Sequence, residues 1–167
     1  MENNILVRPA TPEDAEGVVH ILNPIIREGK QTVLSKEYSA AEEGEFIKNF
    51  PVRGLFIVAE QDNRILGFQT IEAFAPYSRA FDHVGIMGTY VCSKHRNKGI
   101  GKKLFDFLRV KAPELGFEKV FTYIIADNHQ SIGYYQRIGF KIVGTAKKQA
   151  KLPSGYKDEV IVEYFFP

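Results

Sequence analysis

Between residues 83 and 111 a glycine-bearing β-prone run, a basic loop and an amphipathic helix follow one another without a break. Few folds accommodate that succession, because a strand must stop where a helix starts and the cations must crowd the turn between them. His83 to Cys92 is the β run, and glycines at 85 and 88 weaken it, which points to a bulge or a close approach of another backbone or a ligand. From Gly99 to Lys111, Ile100, Leu104, Phe107 and Leu108 share one helical face, with Lys102, Lys103, Asp106 and Arg109 mostly off it. The first turn of such a helix presents unpaired N–H groups and the positive end of the dipole, and glycines let an anion reach the backbone. A diphosphate suits that arrangement. The spacing excludes two familiar forms of it: Gly99 and Gly101 are too close for a Walker loop, with no Ser or Thr after Lys102, and Leu104 stands where a dinucleotide fingerprint needs its third glycine.

The rest of the chain alternates helical and strand periods around this segment. A short β run, Ile5 to Arg8, leads into Thr11-Pro12-Glu13-Asp14, which supplies an N-cap, a proline at the first helical position and acids in the first turn. Ala15, Val18, Val19 and Leu22 recur at helical spacing, and Pro24 predicts an end near Asn23, leaving Ile25 to Tyr38 without a clear period. Ser39 to Glu42 has capping-box spacing and opens a second helix, stopped by Pro51. Leu55 to Glu60 and Ile65 to Phe74 read as a hairpin, Glu118 to Ile125 as a buried strand, Asn128 to Ile138 as a helix, and Phe140 to Lys147 with Lys157 to Phe166 as a closing hairpin. The order is β-α-α-β-β-β-α-β-α-β-β in one α/β (α+β) domain spanning residues 1–167, with no repeat or linker. The aromatic stretch Tyr164-Phe165-Phe166 leads us to expect a homodimer.

Composition narrows the function. The chain has 22 basic and 20 acidic side chains, a net charge of +2, and no aromatics interleaved with the basic cluster at Lys94 to Lys103, so no nucleic-acid partner is expected. No apolar run approaches the roughly 20 residues of a membrane span, and Met1-Glu2-Asn3-Asn4 lacks the basic-then-apolar order of a secretory signal, so a cytoplasmic protein is expected. Cys92 is the sole cysteine, read as a small buried residue rather than a nucleophile, and His20, His83, His95 and His129 lack ligand spacing, so no metal is expected.

Arg96-x-x-Gly99-x-Gly101, placed between a strand and a helix, resembles the phosphate-binding signature of the GCN5-related N-acetyltransferase (GNAT) family. Downstream, Asn128, Ser131 and Tyr135-Gln136-Arg137-Ile138-Gly139-Phe140 resemble the family's second signature, and Arg8 to Asp14 is similar to its early strand and helix start. The resemblance implies a mixed, mostly antiparallel sheet flanked by helices, and acetyl-CoA as co-substrate. It also implies roles for particular residues. The backbone of Tyr90, Val91 and Cys92 would pair with the pantetheine arm; Arg96, Asn97, Lys98, Gly99, Ile100, Gly101 and Lys102 would hold the pyrophosphate; Asn128 would contact the cofactor near its thiol.

Acetyl transfer to an amine needs a neutral amine, a donor for the developing oxyanion and a proton for the departing thiolate. The resemblance directs Tyr135 at the sulfur, and a phenol with an ordinary pKa near 10 keeps its proton at neutral pH. The oxyanion donor is expected to be a backbone N–H around Val91. The base stays open among His83, Asp82 and a water chain, since Val84 to Thr89 contains no carboxylate. Asn23-Pro24, Tyr77 to Phe81 and Thr89 to Val91 are similar to the phosphinothricin acetyltransferase-like branch, which implies a small-molecule amine or amino-acid analogue as acceptor. Its cleft is expected from Ile25 to Tyr38, Phe74 to Asp82 and the C-terminal hairpin, with Arg27, Glu28, Tyr77, Arg79 and His83 as contacts. A non-catalytic acyl-CoA-binding module and a protein-directed acetyltransferase remain open alternatives.

Overall fold

Strand pairing, mostly between neighbours in sequence, builds one seven-stranded sheet in the computed structural model, which describes residues 4–167. The N-terminal reading above falls in part on residues 1–3, outside the described residues. The strands are β1 (Leu6–Pro9), β2 (Leu55–Gln61), β3 (Arg64–Ala73), β4 (Val84–Val91), β5 (Lys119–Ile125), β6 (Lys141–Leu152) and β7 (Gly155–Phe165), in the order β1-β2-β3-β4-β5-β7-β6. The helices are α1 (Ala15–Glu28), α2 (Ala40–Lys48), α3 (Ile100–Lys111) and α4 (His129–Arg137). This is the expected order of elements and the expected mixed α/β, mostly antiparallel architecture. The exception is the parallel pair β4–β5, which α3 connects.

Period-two alternation divides the core between the two faces of the sheet. Ile57 and Ala59 on β2 point to the cluster containing Leu104, Leu108, Phe117 and Tyr135, while Phe56 and Val58 point to the one formed with Val18, Ile21 and Ile25 of α1. The sheet is therefore covered on one face by α1 and α2 and on the other by α3 and α4. Among the described residues no helix is long and apolar enough to cross a membrane.

Helix α1 overturns the expected stop near Asn23: it runs through Pro24 to Glu28. Proline removes one donor, whose partner carbonyl would be that of His20, an exposed residue that water can reach. Continuing the helix buries Ile25 and Ile26, each 6% exposed, and Asn23 is clamped to the backbone of Tyr38 by bonds of 2.8 and 3.0 Å. Burial of two isoleucines outweighs one lost hydrogen bond. The closing hairpin is also longer than expected on both strands. Tyr164 and Phe166 pack against the core and leave Phe165 outward, so two of the three aromatics behind the expected homodimer are used internally.

One ion cluster ties β1 to the entry of α1. Arg8 donates to both carboxylate oxygens of Asp14 at 2.7 and 2.8 Å and to Glu60 at 2.8 Å. Burial works to raise the Asp14 carboxyl, but the bonds from Arg8 and from the Thr11 N–H outweigh it and hold it below its ordinary value. A depressed carboxylate stabilises the fold above its unfolded pKa, near 4, and loses that share as pH falls through the folded value. Asp14→Asn should therefore cost about 2 kcal/mol in urea unfolding at pH 7, with the gap to wild type closing below pH 4. An equal gap at pH 7 and pH 3 would assign the cost to packing instead.

Candidate active site

The site begins where β4 and β5 part. Their pairing runs only from Val84↔Lys119 to Ile86↔Phe121, although β4 continues to Val91 and β5 to Ile125. Each is held on its outer side, β4 by β3 up to Gly67↔Val91 and β5 by β7 up to Ile125↔Glu159, so the two diverge without losing their other partners. The backbone lining this gap follows from parity. Phe74 N donates to Val84 O and Cys92 N to Leu66 O, so the even residues of β4 face β3, while His83 O accepts from β5-side amides. Thr89 and Val91 therefore turn their backbone groups to the gap. Tyr90 and Cys92, expected to pair with a pantetheine arm through their backbones, are turned to β3, and Cys92 is packed half-buried in the α1-side cluster.

At the end of β4 the loop curls into α3. Asn97 and Gly99 adopt left-handed φ of 61° and 79°, and Gly99 occupies the N-cap of α3 with its carbonyl accepting from Lys103. Tyr90, Val91, Arg96, Asn97, Gly99, Ile100, Gly101 and Lys102 line a cavity of about 570 Å³; Lys98 does not line it. Arg96 Nε donates to Val91 O at 3.4 Å, and His95 Nδ1 is buried without a partner. Unpaired helix amides, a cationic rim and an orphaned ring nitrogen fit a phosphate-bearing ligand. Gly101 has a reason invisible in sequence: a Cβ there would lie 2.9 Å from the Tyr134 ring, whose hydroxyl donates to Gly101 O at 2.7 Å.

Tyr135 lies at the gap and is 5% exposed. Its hydroxyl donates to Thr89 Oγ1 at 3.0 Å, and Gln69 Nε2 donates to the same oxygen at 2.8 Å. Burial raises both Tyr134 and Tyr135 well above the ordinary phenol value. Tyr135 and Thr89 also line a second cavity of about 120 Å³, walled by Thr32, Val33, Tyr123, Asn128 and Glu159. Asn128 is held there as the N-cap of α4, its Oδ1 accepting from Ser131 N at 3.1 Å.

Residues 19–140 match the acetyltransferase (GNAT) family. The chain belongs to that family. Its GNAT relatives include the N-acetyltransferase aca1 of Schizosaccharomyces pombe, 35% identical over 94 residues that cover 54% of this chain and 45% of that one. The chain spans less than two thirds of the length of the curated relatives it matches. An N-acetyltransferase from Staphylococcus aureus Mu50 superposes with a TM-score of 0.89 at 26% identity, covering 98% and 99% of the two chains. The yncA acetyltransferase from Salmonella typhimurium, solved with its cofactor acetyl-CoA, shares the fold at a TM-score of 0.90 and 17% identity, covering 98% and 95%.

Within this GNAT frame the expected acceptor contacts are not brought to the gap. Arg27, Glu28, Tyr77, Arg79 and His83 line neither cavity. Arg27 pairs with Glu37 at 2.7 Å on the surface, Tyr77 is 83% exposed, and Arg79 reaches only Asp82. His83 stands six residues before Thr89 on an extended chain, about 20 Å away at 3.3 Å per residue, so neither it nor Asp82 reaches an amine at the gap. The small cavity is lined instead by Gln31 to Val33, shortly after α1, and by Glu159 of β7, which lie in two of the three segments expected to form the cleft. Glu159 was not among the expected contacts: it borders the apolar run Val160-Ile161-Val162, but Asp158 stands beside it and Glu163 closes the run, so the sequence does not single it out.

Proposed function

We propose that this chain transfers the acetyl group of acetyl-CoA to the primary amine of a small molecule, by direct attack of the amine on the thioester. The observation that carries this reading is the junction at the β4–β5 gap: a large cavity under the cationic helix start and a small one beside Glu159 meet at Thr89, Tyr90 and Tyr135. Arg96, Lys102 and the first amides of α3 would hold the diphosphate, and Thr89 and Val91 would offer backbone partners along the gap, with Asn128 near the thiol. Bound acetyl-CoA supplies the activated acyl group.

The chain's own groups supply the rest. The Val91 N–H, turned to the gap, polarises a carbonyl oxygen placed there. Thr89 accepts hydrogen bonds from Gln69 and Tyr135, so both lone pairs of its hydroxyl are engaged and its own proton is the one directed into the cavities. A proton from Tyr135 therefore reaches a leaving sulfur through Thr89, and the phenol is restored by the proton that the nitrogen sheds as the amide forms. The small volume of the second cavity, about 120 Å³, favours a compact acceptor over a peptide. A spectrophotometric thiol-release screen with acetyl-CoA against amino acids, alkylamines, polyamines, aminoglycosides and peptides tests this reading. Turnover with a compact amine is expected, and release confined to peptides, or none at all with coenzyme A bound, would overturn it.

A further inference from the structure

Glu159 is a carboxylate that the chemistry above leaves unused. It is 7% exposed, and strand parity sets it on the opposite face of β7 from Val160 and Val162, which pack in the α3-side core. Its pairing with Ile125 places it at the end of β5 that β4 has left. Among the described residues it is the only charged side chain lining the small cavity; the groups around it that can titrate are Tyr90, Tyr123 and Tyr135. On its own strand, Lys157 is engaged by Asp127 at 3.1 Å and Asp158 by Lys147 at 2.8 Å. Burial alone acts on the Glu159 carboxyl and pushes it up, with no donor among the described residues to offset that. A buried carboxylate without a partner is costly to a fold, and a cavity at its side is where a ligand can supply the partner.

We propose that Glu159 anchors the acceptor's ammonium group, and that the small cavity takes a primary monoamine with no acidic group beside the nitrogen. The proposal rests on the acyl-transfer reading and names the substrate class of that site. An α-carboxylate would share the cavity with Glu159 and find no cation there, because Arg96, Lys102 and Arg137 line the larger cavity instead. The ammonium ion gives one proton to the Glu159 carboxylate; the nitrogen keeps the electron pair of that N–H bond as its lone pair. The carboxylic acid later returns the proton to water, leaving Glu159 as it began.

Calorimetry in the presence of coenzyme A separates the possibilities, using butylamine and norvaline, which differ by a carboxylate beside the nitrogen. At pH 7 butylamine should bind wild type at least tenfold more tightly than norvaline. Glu159→Gln should lose at least tenfold in butylamine affinity, Glu159→Asp should keep part of it, and coenzyme A affinity should be unchanged in both. Folding is not at risk, since Glu159→Gln removes a buried charge and should melt no lower than wild type. Equal butylamine affinity in Glu159→Gln, norvaline binding as tightly as butylamine, or no butylamine binding by a wild type that holds coenzyme A overturns this proposal. Failure to bind coenzyme A at all sinks the acyl-transfer reading instead.

Discussion

Tyr135→Phe is expected to lower turnover of an accepted amine by roughly two to four powers of ten, while acetyl-CoA affinity stays within about threefold. The ring packs against Tyr134 and Phe140 at centroid distances of 4.9 and 5.0 Å, and the variant keeps that packing. What it loses is the hydroxyl that donates to Thr89, the proton source in the proposed relay. Thr89→Val, which removes the relay and keeps the volume, should lose a similar factor. The pH profile carries a second check. An unperturbed phenol would end activity near pH 10, but burial raises Tyr135, so wild type and Tyr135→Phe should show the same profile shape up to pH 10, whatever the amine's own titration adds. The linkage has the same sign: a raised phenol stabilises the fold below its unfolded pKa and loses that share only as pH rises through the folded one. Wild-type speed in Tyr135→Phe would make the residue a packing element, and an alkaline limb at pH 10 would mean that a group other than the buried phenol sets it.

Gly101→Val should weaken acetyl-CoA binding by ten- to a hundredfold, about 1.4–2.8 kcal/mol, in a protein that still folds. The added Cβ would stand 2.9 Å from Tyr134 Cε2 and 3.1 Å from its hydroxyl, so the ring must leave the helix start and its bond to Gly101 O breaks. The displaced phenol then moves into the larger cavity, which Tyr134 already lines. Gly99→Ala acts differently. Nothing lies within 4 Å of a Cβ at 99, but φ is +79°, so the cost of about 1–2 kcal/mol falls on the loop conformation rather than on a neighbour. Pairing Gly101→Ala with Tyr134→Ala should recover most of the affinity lost by Gly101→Ala alone. Calorimetry showing unchanged acetyl-CoA affinity in folded Gly101→Val would remove the loop from the cofactor site.

Several parts of this protein are legible in its sequence alone. The capping box at Ser39 forms as spaced, with Glu42 N donating to Ser39 Oγ at 3.2 Å and Ser39 N to the Glu42 carboxylate at 2.8 Å. The strand-loop-helix passage from His83 to Lys111 folds as its periods imply, with Gly99 opening the helix. Those signals are local: a cap, a left-handed glycine or a hydrophobic period is decided by contacts within a few residues. The element order and the basic loop at the start of α3 were therefore determined by the sequence itself, and so was the position of Tyr135 shortly before Gly139.

Tertiary structure decided the rest, because the remaining features depend on which strands pair and where pairing stops. Local rules end α1 at Pro24, but burial of Ile25 and Ile26 carries it on and delivers Gln31 to Val33 to the gap. Irregular composition drew attention to Tyr77, Arg79 and His83, yet the direction of β4 sets them at the end of that strand far from the site. Gly101 is explained by Tyr134, 33 residues later, and no spacing rule links them. Glu159 meets Thr89 and Tyr135 only because β5 carries β7 beside it while β4 diverges, one residue of strand parity deciding that the carboxylate faces the cavity rather than the core.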